Sequence, residues 1–476
     1  MALAFGTLQT ARTEAAVNDG LVPRCGVDTF AYVECVTKLG RKAGEMMGIE
    51  NGYRTRVSRA FLALIVMSLA SGVAAAQVGS ADIENAWASY NKAFLTADGG
   101  GGEFFAMKQG DRADSGFWEE SEEIEVAEDH YDFVRRGGSA SARDAMVAEI
   151  NGLCTAFVNK HGHDWGKANR FNDDLDWASI AFARAYRITR DAGAPNATWL
   201  ADAKLNFDTV YTRGSTGNGG IAQIQPPKTG LDTWMANLDA PANFAFVIAG
   251  YFIYENGGGV EYKDRADGVY RWSIANLYAV LDRNGSHCPP PNEKFACGKV
   301  LDSNPGSRFT APMWSGFPNT LRIGASDFTY NYGIAIAAAT HEGGAENLAI
   351  AQSIANYLMF RMTRSGAPDT AYDGTIIDRG TWNILPDYGQ GGKNNAGYNG
   401  IALRGVGYGL ARGTLSRATL EWAQANVQAG WNNRNKNGLS WNKWKQDPHA
   451  KTPDDDVLFS WDCSAALAGM FDVPMQ

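Results

Sequence analysis

Apolar residues recur three and four positions apart along most of the chain, and the strict alternation of a half-buried strand is rare. The spacing predicts helices over Asp82 to Thr96, Phe117 to Arg135, Ala140 to Lys160, Asp174 to Thr189, Thr198 to Tyr211 and Pro241 to Tyr254. Glu261 to Leu281, Tyr330 to His341, Glu346 to Thr363, Gly397 to Ala411 and Ser416 to Gln428 continue the series. A weak repeat groups them in pairs: an Ala-rich or aromatic helix stops at glycine, and an Ala-containing helix returns after a short loop. Gly193, Gly257-Gly258 and Gly343-Gly344 mark the turns, where glycine takes the left-handed helix end without steric cost. Stacked antiparallel hairpins of this kind close into a solenoid or toroid, so the fold class expected is all-α. Between hairpins run long loops, Gly214 to Asp239, Asn284 to Phe328 and Ser365 to Asn395, with Trp234, Trp314, Phe317, Trp382 and Tyr388 among them. Loops of this length in a helical protein are usually walls or lids. Their aromatic faces suit sugar rings, or each ring plugs a gap under its own loop.

The N-terminus changes the picture of where the domain begins. Arg54, Arg56 and Arg59 precede an apolar run from Ala60 to Val73, which ends in Ala74-Ala75-Ala76 before Gln77. This is the layout of a secretory signal, and the run is shorter than the roughly 20 residues of a spanning helix. The expected division is residues 1–45 outside the functional protein, 46–76 as signal peptide and 77–476 as one catalytic domain, secreted, periplasmic or on the cell surface. Export permits disulfides. Cys288 and Cys297 bracket Pro289, Pro290 and Pro291 and are expected to pair; Cys154 with Cys463 is a second possible bridge, and buried free thiols are the alternative. A net charge of −9 and a pI near 5.3 argue against a nucleic-acid partner, which needs a dense basic patch.

Chemistry concentrates in Phe171-Asn172-Asp173-Asp174-Leu175-Asp176-Trp177, three carboxyl groups at the start of a helix that continues apolar. Helix starts favour acids as caps and dipole partners, which is the structural reading. Adjacent carboxyls also resist joint ionisation, so one keeps its proton while the other is a carboxylate: an acid and a nucleophile in one place. Retaining glycosidases need such a pair.

This block resembles glycoside hydrolase family 76, in which an Asp-Asp pair is followed by a Trp and an Ala…Ala-Tyr helix, here Trp177 and Ala185-Tyr186. Phe328-Thr329-Tyr330-Asn331-Tyr332-Gly333 is similar to the family's Thr-Tyr-Asn-Gln-Gly stretch, and Gly219-Gly220-Ile221 to its Gly-Gly-Ile segment. Asn243 falls where the family keeps an Asn, and Tyr398-Asn399-Gly400-Ile401-Ala402-Leu403-Arg404 resembles a further block. The chain departs from the pattern at Ala222-Gln223-Ile224-Gln225, Tyr332 and Asn399, where substrate contacts are expected. The resemblance implies an (α/α)6 toroid acting on α-mannan, at α-1,6 bonds and within the chain. It implies Asp173 as nucleophile and Asp174 as general acid/base. Asn172, Asp176, Trp177, Gly219, Gly220, Asn243, Tyr330 and Asn331 are then candidates for substrate binding. Two carboxyls suffice for this reaction, so neither metal nor organic cofactor is expected; the partner expected is a mannose-containing glycan, with no membrane in the mature form and a monomeric enzyme. A transglycosidase of the same family and a non-catalytic glycan-binding protein are the rival readings.

Other clusters read more plainly. His161-Gly162-His163-Asp164 has no third ligand at a recognisable spacing, and Asp454-Asp455-Asp456 lacks the alternation of a calcium loop. The helix from Glu119 to Glu128 reads as a solvated acidic face.

Overall fold

Six largely buried helices form a closed ring in which each packs on the next. These are α2 (Phe117–Gly137), α4 (Asn172–Asp191), α6 (Ala240–Glu255), α8 (Thr329–Glu342), α10 (Tyr398–Ala411) and α12 (Ser460–Asp472), which returns to α2. Six more lie outside them: α1 (Ser80–Phe94), α3 (Ala140–His161), α5 (Ala197–Gly214), α7 (Val260–Leu277), α9 (Gly344–Tyr357) and α11 (Arg417–Asn432). The computed structural model describes residues 78–475 apart from 218, 226–237, 282–296, 304–327, 364–368, 371–375, 378–383, 388–395 and 445–456. Residues Gln77–Gln476 make one compact unit. The architecture is the all-helical (α/α)6 toroid.

Burial separates the two rings. Every residue of α6 except Phe252, Tyr254 and Glu255 is buried, as is all of α8 except Glu342. Outer α3 buries only one stripe, from Met146 to Phe157, as expected for a surface helix. Small residues let the inner helices approach closely: a Cβ on Gly405 would stand 2.0 Å from the Gly333 carbonyl oxygen of α8. The turn glycines Gly193, Gly257, Gly343 and Gly344 have φ of +83°, +88°, +69° and +77°, which ends each helix as the repeat predicts.

Three short hairpins decorate the ring. Leu95–Ala97 (β1) pairs with Glu103–Phe105 (β2), Tyr278–Leu281 (β3) with Cys297–Val300 (β4), and Asp369–Thr370 (β5) with Ile376–Ile377 (β6). The helix expected through Leu281 therefore stops at Leu277, because the following residues pair with β4. The helix expected through Thr363 leaves α geometry at Leu358–Met362, a π turn.

The acidic face expected on α2 is instead core: Glu119, Glu120, Glu122, Glu123, Glu125 and Glu128 are all buried. Two arginines partner Glu122, Glu125 and Glu128, while Lys160 and His161 partner Glu120 and Ser115 donates to Glu123. Arg184 of α4 pairs with Glu125, Glu128, Asp129 and Asp132, and Arg404 of α10 pairs with Glu122, Glu125 and Asp129. The possible Cys154–Cys463 bridge is absent, since both are free buried thiols. Cys154 lies on outer α3 and Cys463 on inner α12, each enclosed in the core as a neutral thiol. Cys297 is disulfide-bonded, and Cys288 lies outside the described residues. So do the signal-like segment and the loop aromatics Trp234, Trp314, Phe317, Trp382 and Tyr388. Among the described residues, no helix is long and apolar enough to cross a membrane.

Candidate functional site

Each inner helix is followed by an outer helix running back, so the inner helices point one way and their N-termini meet at one end of the toroid. Outer helices α3, α5 and α11 begin on side-chain caps, Ser139, Asn196 and Ser416. Of the inner six only α6 does, through Asp239; α2, α4, α8, α10 and α12 begin at Gly116, Phe171, Phe328, Gly397 and Phe459 without one. Uncapped starts leave N–H groups and the positive ends of helix dipoles at that end, which favours acids there.

Asp173 and Asp174 occupy the first turn of α4, both partly exposed. Asp174 Oδ2 accepts a hydrogen bond of 2.8 Å from Asn169, and Asp173 Oδ2 a long one of 3.5 Å from Gln223. Burial pushes Asp173 up to about 8, with the Asp174 charge adding to it; burial pushes Asp174 up to about 6 against the Asn169 bond. The two titrate as a pair that holds one proton across neutral pH.

More carboxyls gather than the sequence suggested. Glu119, at the start of α2, stands near Asp174 and is driven up to about 7, first by burial and then by the Asp174 and Glu120 charges. Asp239, raised by burial, faces Asp173 and Asp302. The β3–β4 hairpin brings Asp302 there: Ala240 N–H donates to its carbonyl, and Asn331 Nδ2 donates to its carboxylate at 2.8 Å. Tyr330 feels Asp302, Asp239 and Asp173 and packs on Tyr398 at 4.2 Å between ring centroids. No spacing signal marks Glu119, Asp239 or Asp302, because helix starts far apart in sequence bring them together.

Several residues expected at the substrate lie one layer behind. Asn172 is fully buried, donating to Ala222 O and accepting from Arg213 Nε. Asn243 bonds both backbone groups of Ile221 and the Asp239 carbonyl. Together they fasten the Gly219–Gln225 loop against α4, and Asp176 beneath is fully buried as well. Gly219 has φ +101°, and a Cβ on Gly220 would meet the Trp272 ring at 2.8 Å, so the Gly-Gly pair serves packing. Trp177 is buried one turn below the acids, where it lines a chamber of about 320 Å³ inside the ring. Asn331 is buried against Asp302. Two departures from the family pattern also fall away from the cleft: Tyr332 stacks on Tyr357 at 5.0 Å, and Asn399 ties Thr329 to the Pro386 carbonyl. Gln223 alone among them reaches the acid pair.

His161 and His163 go to separate partners, Glu120 and Asp202, each at 2.8 Å, and the described residues contain no cluster of metal-ligand type. Neither the 320 Å³ chamber nor a cavity of about 280 Å³ under the β1–β2 hairpin includes the Asp pair. The segments joining Gln225 to Leu238 and Ser303 to Phe328 lie outside the described residues, so chemistry and not cavity size locates the site.

The fold is shared with solved structures. The α-1,6-mannanase GH76A of Salegentibacter sp. HEL1_6 superposes with a TM-score of 0.56 at 17% identity, covering 82% of this chain and 98% of that one. A variant of it with two consecutive aspartates replaced is described as inactive and in complex with α-1,6-mannotriose. The Lin0763 protein of Listeria innocua gives 0.58 at 18% identity over 83% and 96% of the chains, and a family 76 mannosidase of Bacteroides thetaiotaomicron VPI-5482 gives 0.54 at 13% over 82% and 96%. The sequence matches none of the curated proteins. Residues 119–290 match the model of Glycosyl hydrolase family 76, and they span both the acidic start of α2 and the Asp173-Asp174 helix. The sequence match over residues 119–290 and the shared fold both point to glycosyl hydrolase family 76.

Proposed function

We propose that the protein is an exported glycosidase that cleaves α-1,6-mannosidic bonds within mannan chains with retention of configuration. The observation that carries this reading is the adjacent Asp173–Asp174 pair on an uncapped helix start, holding one proton between them. Asp173 attacks the anomeric carbon while Asp174 gives its proton to the departing glycosidic oxygen; Asp174 then takes a proton from water, whose oxygen releases the sugar from Asp173. In the protein alone the proton rests on Asp173, the higher of the two, so attack requires its passage to Asp174 within the pair. Gln223 and the Asp239–Asp302 pair beside Asp173 offer acceptors and a donor for sugar hydroxyls. Support for the substrate comes from the Salegentibacter relative, whose variant with two consecutive aspartates replaced is described as inactive and in complex with α-1,6-mannotriose. Export rests on the signal-like run before Gln77.

The test is mass spectrometry of the protein quenched during turnover of a slow 2-fluoro-mannoside, which traps a glycosyl-enzyme. Label on the peptide carrying Asp173 supports the assignment; label on Asp174 exchanges the two roles. An inverted product sugar refutes double displacement. Transferred or lengthened products in the presence of an acceptor sugar make the protein a transglycosidase.

A further inference from the structure

The proposed reaction makes no use of Asp176. This residue lies three positions after Asp173, on the same side of α4, where side chains at that spacing stand about 5–6 Å apart at Cβ. Its side chain is fully buried, and neither carboxyl oxygen has a hydrogen-bond partner; Asp173 Oδ1 is equally enclosed and equally without one.

The groups around this spot leave Asp176 without a hydrogen-bond donor and with one cation against several acids. From α5, Arg213 acts on it, but the guanidinium is spent: Nε donates to Asn172, and the terminal nitrogens donate to the carbonyls of Gly166, Asn169 and Phe171. From α6, Asp239 adds a further acid beside Asp173; from α8, Tyr330 faces the same acids. On α4 itself Asp174 is the partner of Asp173, with Glu119 of α2 beyond it. A carboxylate so enclosed, without a donor, is far costlier than the neutral acid. The neutral acid is a hydrogen-bond donor, and the inward oxygen of Asp173 lacks one. Burial and the Asp173 charge both raise Asp176, in agreement.

We propose that Asp176 is a positioning residue: as a neutral acid it supplies the donor for the inward oxygen of Asp173, holding Asp173 as the attacking carboxylate once the pair's proton has passed to Asp174. This rests on the reading of Asp173 as the nucleophile. An amide can replace such a donor, whereas a hydrocarbon of similar size cannot.

The experiment is an infrared titration of the full-length protein, with the Asp173 band identified by its loss in Asp173→Asn, beside kcat and KM against pH on α-1,6-mannan. Asp176→Asn is expected to remove a protonated-acid carbonyl band at neutral pH, to leave the Asp173 midpoint in place and to keep kcat within a few-fold. Asp176→Leu is expected to move the Asp173 midpoint and the acid limb of kcat to higher pH. It should lower kcat roughly ten- to hundredfold, the range of a hydrogen bond to a charged group, with KM little changed. The proposal is overturned if Asp176→Asn falls to the activity of Asp173→Asn while folded, or if the Asp173 midpoint does not move in Asp176→Leu. Should Asp176→Leu not fold, persistence of the acid band in Asp176→Asn overturns it. A parent that leaves mannan intact refutes the proposed function alone, because the infrared midpoints still decide the role of Asp176.

Discussion

Replacing Arg404 with methionine tests why a helix with six buried glutamates stands inside the ring. The arginine side chain is 13% exposed and its partner Glu122 is 0% exposed, so solvent screens their interaction little. Glu122 already sits up at about 8 through burial, with the Arg404 charge opposing that rise. Removing the cation leaves Glu125 and Asp129 to Arg184 and takes from Glu122 the arginine it pairs with. Breaking one side of a buried ion pair costs about 3–5 kcal/mol. At about 2.1 cal/mol/K per residue, the roughly 400 residues of the compact unit have an unfolding entropy near 0.8 kcal/mol/K, so Tm should fall by about 4–6 °C. The pH dependence has a definite sign. A carboxyl whose folded pKa is raised binds more protons in the native state, so its stability is present at low pH and lost as pH climbs through the folded value. Losing Arg404 raises Glu122 further, and the deficit should widen from pH 5 to pH 8. Scanning calorimetry at both values checks it, with Glu122→Gln added to Arg404→Met expected to recover part of the loss and flatten the pH dependence. An unchanged Tm, or a drop equal at pH 5 and 8, would refute the assignment of Glu122 to a proton-holding core.

Other consequences can be read with simpler assays. Activity should follow a bell centred between the pair's two values, about 6 and about 8, because one proton is needed; a profile still rising at pH 9 contradicts the shared proton. Asp173→Asn, though inactive, should be more thermally stable than the parent at pH 7. Its raised carboxyl costs stability above the unfolded value near 4, and the gain should vanish as pH falls to that value. Gly220→Val would thrust its side chain at the Trp272 ring, lowering stability by about 1–3 kcal/mol, measured as a shift of the urea midpoint; an unshifted midpoint removes the packing role given to the Gly-Gly pair.

How much of this was legible in the sequence differs from helix to helix in both rings. Outer α3, α5 and α11 fall where periodicity puts them within a few residues, and the glycine stops after inner α4, α6 and α8 mark those ends. Inner α12, Ser460–Asp472, escaped prediction: it is buried through Phe471 with no polar face to show a period, and unlike the equally buried α6 and α8 it has no returning helix after it to complete the repeat. The acids of α2 misled in the opposite direction, since local composition cannot reveal that Arg184 and Arg404 arrive from two other helices. Asp173 and Asp174 stand out in the sequence because adjacent carboxyls at a helix start are a local pattern, and the structure places both in the first turn of α4. Asn172 and Asn243 were found as residues but misplaced in role, because hydrogen bonding to a loop and to a sugar demands the same amide.

The most direct measurement of the central claim is reducing-end release and product size from α-1,6-mannan by the full-length protein, beside Asp173→Asn and Asp174→Asn. The account predicts short mannooligosaccharides from the parent and a loss of several orders of magnitude in each variant, with both variants folded. A parent that binds mannan and releases nothing, or a variant that retains near-parent turnover, would contradict it.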